Sequence, residues 1–170
     1  MTLCLTTHSE DETTALGSRL GAVLHGGAVI LLDGDLGAGK TRFAKGVARA
    51  LGVSGTLTSP TFNLVLEYPL ANDDTTRLEH PRYLRHFDLY RLEQAEQLDD
   101  LDYFGLIEEQ DAVSLVEWGS KFASHLPLDY VLVNILMVDG APEQRTLELS
   151  AEGARSEEML ERFALAEEVQ

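Results

Sequence analysis

One short stretch constrains this chain more than any other: the apolar run Ala28–Asp33, leading straight into Gly34-Asp35-Leu36-Gly37-Ala38-Gly39-Lys40-Thr41. The run shows no polar–apolar alternation and closes on an acid, the pattern of a strand covered on both faces. The eight residues that follow satisfy G-x-x-x-x-G-K-[ST] in full. Glycines at these positions let the backbone curl until successive N–H groups converge on one concavity, which attracts anions. From Lys40 onward, Phe43, Val47 and Leu51 fall on one helical stripe, and Gly52 supplies a stop. Strand, glycine loop and amphipathic helix in direct succession form the context in which this motif binds phosphate. Lys40 then bridges the β- and γ-phosphates, the Thr41 hydroxyl ligates magnesium, and the helix N-terminus adds the positive end of its dipole.

The remaining pattern places this unit in an α/β layered fold. Ser9-Glu10-Asp11-Glu12 has the spacing of a capping box, followed by Leu16, Leu20, Val23 and Leu24 on one face of a helix ending at Gly26-Gly27. Further strands are expected at 62–67, 84–89, 113–117, 131–138 and 146–150, the last two forming a hairpin about Asp139-Gly140-Ala141-Pro142. Helices are expected at 93–101 and 156–168, and a mobile polar loop at 69–82. No repeat or linker divides the chain, so residues 1–170 read as a single domain. The expected fold is a P-loop NTPase-like, three-layer α/β fold with a mostly parallel central sheet and a C-terminal antiparallel hairpin.

Charge narrows the function. With 29 Asp+Glu against 13 Lys+Arg, the formal net charge is -16. Such a field repels phosphate backbones, so a nucleotide needs a local site, and any nucleic acid arrives on a partner. Charge complementarity also predicts a basic docking face on that partner; acidity serving solubility alone is the other reading. Cys4, the only cysteine, rules out an intrachain disulfide or a thiolate cluster. Residues 1–12 lack a secretory pattern, and the most apolar stretch, 130–138, is too short to span a bilayer. A cytoplasmic location without membrane attachment is therefore expected.

Magnesium-nucleotide chemistry also calls for a carboxylate near Thr41, at the end of an apolar strand. Glu117 closes Ala112-Val113-Ser114-Leu115-Val116-Glu117 and fits. A second acid, Asp88, lies in His86-Phe87-Asp88-Leu89-Tyr90-Arg91, where strand alternation puts His86 and Asp88 on one face. A site at a strand end and a solvated edge explain that face equally well. The lysines are Lys40, Lys45 and Lys121, and none follows an Asn, so the Asn-Lys-x-Asp guanine reader is absent. Arg77, Arg82, Arg85 and Arg91 offer material for the Arg-rich lid of a small-molecule P-loop kinase, but Asp73, Asp74 and Glu79 surround them. ATP hydrolysis coupled to a partner is the better reading.

Four segments occur in order: GDLGAGKT (34–41), SPTFNLVLEY (59–68), HFDLYRL (86–92) and LVEW (115–118). Together they resemble the TsaE family, also called YjeE, over about residues 9–118, with the resemblance fading in the C-terminal third. The resemblance implies an ATPase that binds and hydrolyses Mg-ATP in support of tRNA threonylcarbamoyladenosine modification next to the anticodon. It implies action with TsaD and TsaB, whose complex is reset by hydrolysis, so tRNA is met only indirectly. By position it assigns Lys40 to phosphate, Thr41 and Glu117 to magnesium, and Asp88 to hydrolysis through metal-bound or attacking water. Asp35, Leu36, Gly37, Ala38, Gly39 and Arg42 would border the bound nucleotide, Thr61 would face the γ-phosphate, and Trp118 would lie close by. Glu10 and Thr13 align with the family's adenine-side contacts, although a capped helix explains them as well.

Two departures stand out. Arg42 replaces a hydroxyl residue found in many members, and the 69–85 connection is longer than usual. Competing with a partner-activated ATPase are a small-molecule P-loop kinase and a non-enzymatic adaptor that binds ATP without appreciable hydrolysis.

Overall fold

The computed structural model describes residues 1–58, 60, 63–71 and 80–168. The chain opens with strand β1 (Thr2–Thr7), helix α1 (Glu10–Gly21), strand β2 (Val29–Asp33) and helix α2 (Lys40–Ala50). Strands β3 (Val65–Pro69) and β4 (Tyr83–Asp88) follow, then the short helices α3 (Glu96–Asp100) and α4 (Tyr103–Ile107). Strand β5 (Ala112–Glu117) runs into a 3-10 segment, Gly119–His125. The hairpin β6 (Tyr130–Val138) and β7 (Ala141–Glu152) and the helix α5 (Ala154–Glu167) complete the order.

All seven strands join one sheet in the order β1-β7-β6-β2-β5-β4-β3. The four middle strands, β6-β2-β5-β4, are mutually parallel. Antiparallel strands extend both edges, β3 beyond β4 and β7 with β1 beyond β6. The expected parallel centre and C-terminal hairpin are thus present, with antiparallel pairing reaching further than the hairpin. Two cores lie on opposite faces of the sheet. One packs Ile30, Leu32, Val113, Leu115 and Val133 against α1, α2 and α5 through Leu16, Phe43, Val47 and Leu160. The other packs Val29, Leu31, Phe87 and Val116 against Leu98, Tyr103 and Ile107 of α3 and α4, and Phe122 of the 3-10 segment. Adjacent residues of β2 feed opposite cores, which is why its sequence carries no polar face.

Helices α1 and α2 touch backbone to backbone. A Cβ at Gly17 would stand 2.2 Å from the Phe43 carbonyl oxygen, and one at Gly46 would stand 2.0 Å from that of Thr14. The Ser18 hydroxyl uses this proximity to donate to the Gly46 carbonyl at 3.0 Å. Helix α2 ends as the sequence indicates, with Gly52 N–H donating to Arg49 and Val53 N–H to Ala48, satisfying carbonyls of the last turn.

Several boundaries differ from expectation. Ser9 caps α1 by accepting from Glu12 N–H at 3.1 Å, but the Glu12 carboxylate answers His8 N–H at 2.7 Å rather than that of Ser9. The helix stops at Gly21 instead of Gly26-Gly27, because Val23 and Leu24 N–H turn to carbonyls three residues back and tighten the chain. Strand β1 was not anticipated, and β7 extends well beyond 146–150 because it pairs with β1 on one side and β6 on the other. The strand expected at 62–67 begins at Val65, with Phe62 outside the described residues. The helix expected at 93–101 narrows to α3, since the Gln97 side chain accepts the Glu93 and Gln94 N–H groups ahead of it. Leu70 N–H donates to the Arg82 carbonyl at the base of the connection expected to be mobile, whose residues 72–79 lie outside the described set. Among the described residues, no helix is long and apolar enough to cross a membrane.

Candidate nucleotide-binding site

The glycine loop leaves the C-terminal end of β2 and enters α2, at the edge of the parallel strands where open α/β sheets bind ligands. Gly34 is pressed so closely on β6 that a Cβ would lie 2.3 Å from the Ile135 carbonyl oxygen. Gly39 caps α2 in the left-handed region, at φ 112°, where a side chain would be strained. No acid occupies the first turn of α2, so no side chain of that turn competes for the positive end of its dipole.

A cleft of about 430 Å³ opens over this loop, lined by Glu10, Leu36, Gly37, Gly39, Lys40, Thr41, Arg42, Asp88, Tyr90, Arg91, Glu117 and Trp118. Most residues singled out from the sequence therefore converge here from α1, α2 and the ends of β4 and β5. Two do not line it. Ala38 is buried in the core beneath the loop, and Asp35 borders a neighbouring cleft of about 480 Å³ with Asp33, Lys121 and Asn134. These two can serve a nucleotide here through their backbone only. Thr61 lies outside the described residues. Thr13 is buried, and its hydroxyl is engaged with Thr7 Oγ1 at 2.8 Å and the Ser9 carbonyl at 3.0 Å, the structural role of a capped helix.

Lys40 is only 5% exposed. Its ammonium donates to the Gly34 carbonyl at 2.6 Å and the Asp35 carbonyl at 2.9 Å, and lies 4.1 Å from the centre of the Trp118 ring. Burial lowers its pKa, and the surrounding carboxylates of Glu117, Asp33, Asp88 and Asp35 oppose that shift. Trp118 reaches this position by adopting φ 65°, a left-handed conformation that costs a non-glycine residue about 1–2 kcal/mol. Its N–H donates to the Leu32 carbonyl, and its ring packs on Tyr90 at 5.2 Å. Backbone strain of this kind falls here on a residue pinned between Lys40 and a second aromatic.

The carboxylates are brought together by strand register. Asp88 and Glu117 are direct partners in the parallel β4–β5 ladder, and both side chains line the cleft. Two adjacent carboxylates repel each other unless a cation lies between or beside them. Behind them, fully buried His86 brings Nε2 within 2.9 Å of Glu117 Oε1, while its Nδ1 has no hydrogen-bond partner. A carboxylate oxygen at this distance accepts from an N–H, which assigns a ring proton to Nε2. At the mouth, exposed Arg42 pairs with Glu10 at 2.6 Å. Among the described residues, no group of three His, Cys, Asp or Glu side chains could hold a metal by itself. Magnesium does not require one, since it keeps waters and takes one or two carboxylates plus substrate phosphates. The hard oxygens of Thr41 and Glu117 suit that role.

Tyr90 was not singled out from the sequence, Arg91 entered only as material for a kinase lid, and His86 only as sharing a strand face with Asp88. All three belong to the HFDLYRL segment, where Asp88 alone was given a role in the site. Of the arginines considered for a kinase lid, Arg85 is unavailable. It is buried in ion pairs with Glu67 and Glu109 and donates to the Leu106 carbonyl.

The family model described as "Threonylcarbamoyl adenosine biosynthesis protein TsaE" matches residues 7–147. The match runs on through the β6–β7 hairpin, further than the four motifs reach. The tRNA threonylcarbamoyladenosine biosynthesis protein TsaE of Mycobacterium tuberculosis is 42% identical over 125 residues, 68% of this chain and 68% of that protein. The protein of the same name from Bacillus subtilis is 35% identical over 159 residues, 93% of this chain and 91% of that one. The crystal structure of Bacillus subtilis YdiB superposes with a TM-score of 0.76 at 30% identity, covering 98% of this chain and 97% of that one. The phosphate loop, the paired carboxylates and these similarities lead to one conclusion: this chain belongs to the TsaE family.

Proposed function

We propose that this chain binds Mg-ATP in the cleft over Gly34–Thr41 and hydrolyses it in support of tRNA threonylcarbamoyladenosine synthesis in the cytoplasm, acting with TsaD and TsaB. The observation that carries the reading is the convergence of Lys40, Thr41, Asp88 and Glu117 on one cleft at the helix N-terminus. Lys40 is held by the Gly34 and Asp35 carbonyls of the loop, and a β,γ-phosphate pair would replace these two partners. Magnesium, when bound, neutralises charge on the β- and γ-phosphate oxygens. Thr41 and Glu117 would hold it, and His86 keeps the Glu117 carboxylate aimed. Asp88 lies beside Glu117 in register and would orient the attacking water and accept its proton. Trp118 and Tyr90 shield the lysine side of the cleft from solvent, which strengthens the electrostatics within. With a net charge of -16 the chain is a poor ligand for free tRNA, which favours contact through partner proteins.

The test is ATP turnover by the isolated chain, then with TsaB and TsaD added. Turnover is expected to rise on their addition, and no stimulation would refute the coupled mechanism. In parallel, ADP titration should change Trp118 emission, and Lys40→Ala should abolish the change. Glu117→Ala retaining full magnesium-dependent hydrolysis would overturn the metal assignment.

A further inference from the structure

The carbonyls of the phosphate loop need partners as much as its N–H groups need a ligand, and one of those partners comes from far along the chain. Arg145 on β7 donates from Nε to the Ala38 carbonyl at 2.7 Å. Its Nη1 is fixed in turn by the Pro142 carbonyl at 2.6 Å and the Gln144 carbonyl at 2.8 Å. The Ala38 carbonyl stands just outside α2, whose hydrogen-bond ladder begins with Phe43 N–H donating to Gly39. Because a trans peptide is planar, holding the Ala38 oxygen toward β7 turns the Gly39 N–H to the opposite side. Gly39 lines the cleft, whereas Ala38 is buried away from it. Gly39 has no side chain to fix its own torsions, so this peptide would otherwise swing between orientations. The other end of the loop rests on the same hairpin, through Gly34 against Ile135.

We propose that Arg145 is a positioning residue for the phosphate loop, clamping the Ala38–Gly39 peptide so that the Gly39 N–H points at the bound phosphate. This rests on the nucleotide-binding reading given above. The hairpin β6–β7 is then part of the site's machinery: it supplies the fixed base on which an otherwise pliable glycine loop keeps its concave shape. Preorganised donors bind an anion without reordering at the moment of binding, and a loose one loses that advantage.

The experiment compares the full-length chain with Arg145→Ala and Arg145→Lys. In the nucleotide-free state, the backbone 15N order parameter of Gly39 is expected to fall from about 0.85 toward about 0.6 in Arg145→Ala, while amides of α5 and β1 stay unchanged. The dissociation constant for Mg-ADP, followed by Trp118 emission, is expected to rise about tenfold. Arg145→Lys, which keeps one donor, is expected to recover most of both effects. If Arg145→Ala does not fold, Arg145→Met, which keeps the apolar stem but no donor, carries the test, with the same expected fall in order parameter. A Gly39 order parameter equal to wild type in the folded donor-free variant overturns the proposal, as does a change spread evenly over the whole chain. Wild-type protein that binds no ADP would instead refute the nucleotide reading, while the ligand-free measurement would still decide the part played by Arg145.

Discussion

Replacing Gly46 by alanine tests the idea that α2 is seated by direct backbone contact with α1. Gly46 lies inside a regular helix, so alanine meets no torsional objection and should add up to about 1 kcal/mol of helix propensity. The obstacle is space. The new Cβ would sit 2.0 Å from the Thr14 carbonyl oxygen and 2.8 Å from the Ser18 nitrogen, both backbone atoms that cannot rotate away. Ordinary contact begins near 3.4 Å, so the helices must part by an ångström or more. Overpacking of this kind costs about 1–3 kcal/mol. The separation also breaks the Ser18–Gly46 hydrogen bond, worth about 0.5–1.5 kcal/mol. Against the propensity gain, the net expected loss is about 2 kcal/mol, or about 4–8 °C in Tm for a chain of this size. Urea unfolding followed by far-UV circular dichroism measures it. Nucleotide affinity should fall alongside, because α2 carries Lys40 and Thr41 into the cleft. A variant within about 0.5 kcal/mol of wild type would refute the reasoning, since that is the ordinary scatter of an uncrowded surface substitution.

Two further outcomes follow from named contacts. His86→Leu removes the group that holds Glu117 Oε1, so Mn2+ affinity of the ADP-bound protein, read by electron paramagnetic resonance, should drop about tenfold, as for other residues that orient metal ligands; unchanged Mn2+ affinity would show that Glu117 needs no such support. Asp129 caps α5 from outside the helix, accepting from the Arg155 and Ser156 N–H groups, and Asp129→Ala should cost about 1 kcal/mol at neutral pH. Its pKa is lowered: burial pushes it up, but the Ser156 and Arg155 hydrogen bonds and the Arg155 charge outweigh that. A depressed carboxylate pKa contributes stability above the unfolded value of 3.8, lost as pH falls through the folded pKa. The gap between wild type and Asp129→Ala in urea midpoint should therefore be full at pH 6 and shrink below about pH 4; a gap independent of pH would refute the carboxylate's role.

The parts of the site legible in the sequence are those whose chemistry is local. The glycine loop, Lys40 and Thr41 are consecutive, and the run before them and the stripe after them identify their setting. Glu117 was legible as the acid closing an apolar strand. Asp88 was only half legible, because a polar strand face suits solvent as well as a site, and the choice required the register that places it beside Glu117. Strand β1 went unread although Leu3 and Leu5 alternate with Thr2, Cys4 and Thr6, since a lone short alternation specifies little without its partner strand. Helix α3 was legible inside the expected 93–101, whereas α4, with five residues, is too short for a helical period to declare itself.

The sequence by itself determined that a glycine loop of the G-x-x-x-x-G-K-[ST] pattern would sit between a doubly covered strand and an amphipathic helix, because those signals need only neighbouring residues. Tertiary structure alone decided what surrounds that loop. Arg145 reaches Ala38 across 107 residues of chain, His86 reaches Glu117 across 31, and Gly46 meets Thr14 only because two helices cross there. Such contacts leave no periodicity in the sequence, since a single residue makes each one. They arise from strand order and helix crossing, which place the hairpin beneath the loop and two carboxylates in front of it.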